Sequence, residues 1–97
     1  MRFDGPAQEL LERVDAIVAE RGRTVDAARA AGWSVPDTQA NFFWLPTGAR
    51  TLEVAEAFGR DGLAVRPFAG DGIRITIGEP DANDRVLDVL RRQSAGG

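Results

Sequence analysis

The clearest chemical signal in this chain comes from Arg66 and Arg74. Arg74 lies inside Ile73-Arg74-Ile75-Thr76-Ile77, whose strict alternation is a strand pattern. Alternation turns Ile73, Ile75 and Ile77 toward a helix-covered face and Arg74 and Thr76 toward the opposite one. Arg66 ends a short strand-like run, Leu63 to Arg66, and is followed by Pro67. If the two runs pair around the Gly70-Asp71-Gly72 turn, both guanidiniums lie on the same side of the domain. Two such groups on an open face take a carboxylate or a phosphate through bidentate, charge-assisted hydrogen bonds. On chemistry alone, the same residues also read as solvated strand arginines, which is the commoner situation.

Other chemistry-bearing residues are more easily explained by structure. Asn41 directly precedes an aromatic run. Its amide can bond a ligand, but asparagine after Pro36-Asp37 more commonly caps the turn. Phe42, Phe43 and Trp44 can line a pocket, although at least two of three aromatics in a short strand are expected in core or interface packing. Glu79-Pro80-Asp81-Ala82-Asn83-Asp84 is acidic, but it opens a helix, where the dipole favours acids, so it is not read as a metal site. Gly70-Asp71-Gly72 is too short to be a phosphate loop.

Composition closes most other routes. The 97 residues are 43% hydrophobic and 28% charged, with a formal charge of -3. That is the composition of one small globular domain, and it favours neither nucleic acid nor a membrane surface as a partner. Cysteine and histidine are absent, which excludes disulfides, thiolate or imidazole metal sites, and serine or cysteine triads. Every one of the twelve basic residues is arginine. Without lysine the chain cannot supply a Schiff base or a P-loop ammonium. Tyrosine is missing too, so carboxylates, arginines, hydroxyls and amides remain. No segment reads as a signal peptide or a membrane span, so a cytoplasmic location is expected.

The elements that must position these residues follow from periodicity. Leu10, Val14, Ile17, Val18, Val25 and Ala28 form one face of a helix from Pro6 to Ala31, with Gly22 a weak point and Gly32 a stop. Glu9–Arg13 is a favourable i,i+4 pair on it. Asn41 to Leu45 is the first strand. Thr51 is the N-cap of a second helix bearing Leu52, Val54, Ala55 and Phe58, which ends near Asp61-Gly62. The strands Leu63–Arg66 and Ile73–Ile77 follow, and Pro80 opens a third helix with Val86, Leu87 and Leu90 inside. The order is α-β-α-β-β-α. A split β-α-β arrangement with the third strand in the middle makes the first two strands parallel. The expected fold is α+β: a two-layer sandwich, a small three-stranded sheet with helices on one face, the other face open.

Three ordered strings carry a resemblance: Ser34 to Pro46 (SVPDTQANFFWLP), Leu63 to Phe68 (LAVRPF) and Gly72 to Gly78 (GIRITIG). Together they resemble the C-terminal small domain of the histidinol-phosphate aminotransferase family, nearest its aromatic amino-acid (phenylalanine) aminotransferase members. These are fold-type I enzymes that use pyridoxal 5'-phosphate. The likeness divides the chain into an unmatched lead at 1–8, the small domain at 9–92 and a flexible tail at 93–97. It implies that Arg74 holds the substrate's anionic group, a carboxylate or phosphate. It implies that Arg66 is a second anion contact and that Asn41 supports the site at the domain junction. The implied substrate is a small amino acid, 2-oxo acid or phosphate-bearing compound, and the implied parent enzyme is a homodimer. The family's catalytic lysine and most of its phosphate cup belong to a large cofactor-binding domain with no counterpart in this sequence. The chain alone is therefore expected to bind no cofactor and not to transaminate. The other class is a free-standing α+β module binding a small acid or a protein partner through the open sheet face.

Overall fold

A computed structural model describes the backbone of residues 6–93 and the side chains of residues 14–93. Helix α1 spans Pro6–Ala30. The chain leaves it through Gly32, whose φ of 100° is the left-handed conformation expected one residue past the helix C-cap. Trp33 then turns inward, and its indole N–H donates to the Leu90 carbonyl at 3.0 Å. Strand β1 covers Phe42–Pro46. A 3-10 turn, Gly48–Arg50, leads into α2, Thr51–Arg60. Strands β2 (Arg66–Phe68) and β3 (Gly72–Thr76) follow, then α3 (Pro80–Gln93).

The sheet order is β1-β3-β2, and both pairings are antiparallel. Two outer strands antiparallel to the same central strand run parallel to each other, as the split arrangement requires. Phe43 faces Ile75 and Leu45 faces Ile73 across the sheet, all four essentially inaccessible. Against them pack Val54 and Phe58 of α2, Val86, Leu87 and Leu90 of α3, and Val25 and Ala28 of α1. The result is the α+β sandwich expected, with one sheet face under the helices. No helix among the described residues is long and apolar enough to cross a membrane.

Four local expectations are corrected. Each strand is displaced from its expected bounds, because hydrogen-bonded register rather than composition ends a strand. β1 pairs from Phe42↔Thr76 to Pro46↔Gly72, so it begins after Asn41. β2 pairs only from Arg66↔Arg74 to Phe68↔Gly72, which leaves Leu63–Val65 as a half-buried approach segment. Pro67 lacks an N–H and fits this edge position. Thr51 is not an N-cap. It is the first residue of α2, and its buried hydroxyl donates back to the Gly48 carbonyl at 2.7 Å. That hydroxyl also lies 2.6 Å from the Thr47 hydroxyl, which is left to donate. Among the described side chains the apolar face of α1 is only partly used: Val25 and Ala28 are buried, but Val14, Ile17 and Val18 are 48, 54 and 46% exposed. A helix of this length reaches roughly 37 Å. Leu10 and the Glu9–Arg13 pair lie outside the described side chains. Finally, of the three aromatics in β1 only Phe43 is core; Phe42 and Trp44 are half-buried on the open face.

Candidate anion-binding face

Register brings the two arginines together. Trp44, Arg74 and Arg66 are directly opposed across all three strands, so their side chains share the open face. Adjacent members of such a row have Cα atoms roughly 4.5–5.5 Å apart. Two like charges placed this way repel, and folded chains ordinarily separate them or supply an acid. Here the side chains separate, Arg74 leaning toward Phe42 in the row of Thr76 and Arg66 toward Phe68 in the row of Gly72, and no acid is supplied among the described residues. Of the ten arginines with described side chains, eight donate hydrogen bonds, to carboxylates such as Glu20, Glu53, Glu56 and Asp88 or to carbonyls such as those of Val35, Gln39, Asp61 and Gln93. Arg66 and Arg74 are the two with no hydrogen bond or ion pair to any described residue. Each is instead held against a ring. The Arg74 guanidinium carbon lies 5.1 Å from the Phe42 ring centre, and that of Arg66 lies 6.0 Å from the Phe68 ring centre. Cation–π contact of this kind orients a guanidinium while leaving its N–H donors unused.

The next row along the sheet explains how this surface is kept open. It consists of Pro46, Gly72 and Phe68. Gly72 is buried, and a Cβ built there would lie 2.5 Å from the Leu45 carbonyl oxygen and 2.5 Å from Trp44 Cζ2. The Trp44 ring thus occupies the space a side chain at 72 would need, and meets Phe68 with ring centres 5.6 Å apart and planes tilted by 48°.

Asn41 is not in this cluster. It precedes β1, and its carbonyl accepts the Ile77 N–H at 2.7 Å, with its side chain exposed. It does not cap the turn either. Thr38 does that, accepting from the Ala40 N–H at 3.2 Å and donating to the Phe42 carbonyl at 2.9 Å. A hydroxyl two residues before the N–H it accepts was the available sequence signal.

Sequence reasoning also missed a polar junction just beyond the end of the central strand β3. Asn83 is buried at 2% exposure within the acidic run. Its amide oxygen accepts the Gly78 N–H at 2.8 Å, and its NH₂ donates to the Gly78 carbonyl at 2.9 Å and to Glu20 Oε2 at 2.7 Å. Arg23 clamps the same Glu20 through two N–H groups and reaches Asp84 at 2.9 Å. These bonds, Arg23 first, hold the Glu20 carboxyl at about 2 against an ordinary 4.5, although burial opposes the shift. The junction pins α1 to α3 and fixes the loop leaving β3. A cleft of about 240 Å³ beside it, lined by Ile17, Ile77 and Pro80, does not touch the arginine row.

This combination of three helices on one side of a β1-β3-β2 antiparallel sheet is the fold of an aminotransferase small domain. The chain superposes with a TM-score of 0.75 on a crystal structure of an aminotransferase from Anaerococcus prevotii, covering 91% of this chain and 22% of that one at 18% identity. It superposes at 0.72, with 29% identity, on a Burkholderia pseudomallei protein assigned to the aminotransferases, covering 79% of this chain and 25% of that one. By sequence the chain is a relative of the aromatic amino acid aminotransferases. It is 56% identical over 84 residues to that of Streptomyces avermitilis, which is 87% of this chain and 23% of that enzyme. It is 50% identical over 91 residues to that of Mycolicibacterium smegmatis, 94% of this chain and 25% of that enzyme. The chain thus spans about a quarter of the length of the relatives it matches. No family model matches it.

Aminotransferases work with pyridoxal 5'-phosphate. The residues present here do not fit that group on their own. The sequence holds no lysine to anchor the aldehyde, and the arginine row stands on an open sheet surface rather than in an enclosed cup.

Proposed function

We propose that this chain is the substrate-binding small domain, residues 9–92, of a cytoplasmic, homodimeric aminotransferase dependent on pyridoxal 5'-phosphate. In this reading Arg74 is the principal contact for the substrate's anionic group and Arg66 the second. Asn41 supports the junction with a large cofactor-binding domain that closes over the open face. The large domain carries the cofactor and its lysine, so the chain alone does not transaminate. The substrate is an amino acid or 2-oxo acid, of the aromatic class named for the relatives or of the histidinol-phosphate class.

The observation that carries this reading is the opposed Arg66–Arg74 pair with no acid to neutralise it among the described residues. A bound anion would use donors that are otherwise idle. The fork geometry suits a carboxylate.

The test is a chimera in which this chain replaces the corresponding quarter of the Streptomyces avermitilis enzyme. Transamination by the chimera and none by the chain alone is the expected outcome. Arg74→Lys in the chimera should lower kcat/KM by about 2–3 kcal/mol of transition-state binding, the scale of a charged hydrogen bond, and Arg66→Lys by less. An unchanged kcat/KM for Arg74→Lys refutes the assignment. A chimera that folds but never turns over, with the chain alone still binding small acids, favours the free-standing module instead.

A further inference from the structure

We infer that Thr76 and Phe42, directly opposed in the row next to the two arginines, complete the anion site of Arg74: Thr76 as a further donor to the bound carboxylate, Phe42 as a positioning residue for the guanidinium. This rests on the anion-binding reading above and deepens it, by fixing the end of the open face at which the carboxylate sits.

Thr76 stands apart from the other threonines as Arg74 does from most of the arginines. Thr24 donates to the Glu20 carbonyl at 2.8 Å, Thr38 to the Phe42 carbonyl at 2.9 Å and Thr51 to the Gly48 carbonyl at 2.7 Å, while the Thr47 hydroxyl lies 2.6 Å from that of Thr51. The Thr76 hydroxyl bonds to no described residue, and the side chain is exposed. Thr76 follows Arg74 by one i,i+2 step along β3, so both project from the open face. β2 pairs with β3 no further than Arg66↔Arg74, so no residue of β2 is paired with Thr76.

Phe42 decides where the Arg74 donors lie. Trp44 is the residue directly across from Arg74, yet the guanidinium carbon lies 5.1 Å from the Phe42 ring centre. The side chain therefore leans diagonally, into the row that Phe42 shares with Thr76. The ring covers one face of the guanidinium and leaves the N–H groups pointing outward in its plane. A carboxylate that takes two of them is held in the row that also carries the Thr76 hydroxyl. Each carboxylate oxygen accepts more than one hydrogen bond, so the fork leaves a lone pair for that hydroxyl. Arg66 leans the other way, toward Phe68 in the Gly72 row, and stays the second contact at the other end of the face.

The experiment titrates the full 97-residue chain with acetate, followed by the Arg74 Nε–H and Thr76 backbone N–H resonances. The Arg29 Nε–H, bonded to the Val35 carbonyl, is the internal reference. Acetate should move the Arg74 and Thr76 signals together and leave Arg29 in place. Thr76→Val keeps the branched shape and removes the hydroxyl, and should weaken acetate about fivefold, the scale of one net hydrogen bond. Thr76→Ser should recover most of that loss. Phe42→Leu should weaken acetate about two- to fivefold, the scale of an exposed cation–π contact, and Phe42→Tyr should restore it. The Trp33 indole N–H, bonded to Leu90 in the core, reports that each variant is folded. Acetate that moves the Arg74 signal but not that of Thr76 overturns the inference while leaving the arginine reading intact, as does an affinity unchanged by Thr76→Val or by Phe42→Leu. Failure of acetate to bind, or binding that Arg74→Gln does not weaken, overturns the arginine reading and this inference together.

Discussion

Replacing Gly72 by alanine adds one methyl group where the space for it is already filled. The new Cβ would stand 2.5 Å from the Leu45 carbonyl oxygen and 2.5 and 2.7 Å from two atoms of the Trp44 ring. The ring can rotate, but the oxygen belongs to the paired strand, so β1 and β3 must separate locally. Rearrangements of this kind cost about 1–3 kcal/mol, and a backbone obstacle places this one at about 2–3 kcal/mol. For a domain of this size that lowers Tm by about 10–20 °C. Urea unfolding followed by circular dichroism measures it. Gly22→Ala is the reference, because Gly22 lies exposed in the middle of α1, where an added Cβ would meet nothing within 4 Å. It should gain about 0.5–1 kcal/mol by shedding unfolded-state freedom. A Gly72→Ala chain within about 0.5 kcal/mol of the parent would refute the steric argument.

Other outcomes follow from the same contacts. Glu20 has a folded pKa of about 2 against 4.5 when unfolded, so its contribution is complete above pH 4.5 and is lost as pH falls toward 2. Glu20→Gln should flatten the acid limb of stability against pH, by about 1–2 kcal/mol after screening at this partly open site, and an unaltered limb counts against the Arg23 clamp. Asn83→Ala strands the Gly78 N–H and carbonyl, and should cost about 2–3 kcal/mol in chemical denaturation. A change below about 0.5 kcal/mol would show the junction to be replaceable by water. Arg66→Gln removes one of two opposed like charges, so it should leave stability unchanged or raise it by about 0.2–1 kcal/mol at low salt. Clear destabilisation would mean that Arg66 is a structural residue.

The order of elements was legible because each has a local cause. Strict alternation marked Ile73–Ile77, and Pro80 with its acidic neighbours marked the start of α3. The short Gly70–Gly72 connection forced an antiparallel pair, and with the α2 crossover that left little choice but a central β3. Alternation also set Arg74 on the face opposite Ile73 and Ile75, where it is found. What stayed hidden depends on residues distant in the chain. The N-terminal half of α1 reads as amphipathic whether or not anything lies against it, since periodicity records what a face can bury and not what is there to bury it. Thr51 looks like a cap from its neighbours, yet it bonds backward into a turn that exists only because β1 and α2 meet at that angle.

The site divides in the same way. That this chain offers arginine, and no lysine, histidine or cysteine, was decided by sequence alone, and so was the kind of ligand proposed for it: an anion, recognised by guanidinium. Which arginines keep their donors unused among the described residues was a tertiary decision. Arg29, Arg50 and Arg85 look no different in the sequence, but folding brings carbonyls of Val35, Gln93 and Asp61 to them. Register, which no single strand contains, set Trp44, Arg74 and Arg66 in one row. A strand's composition specifies which side each residue takes, but only pairing with its neighbours specifies who stands beside it.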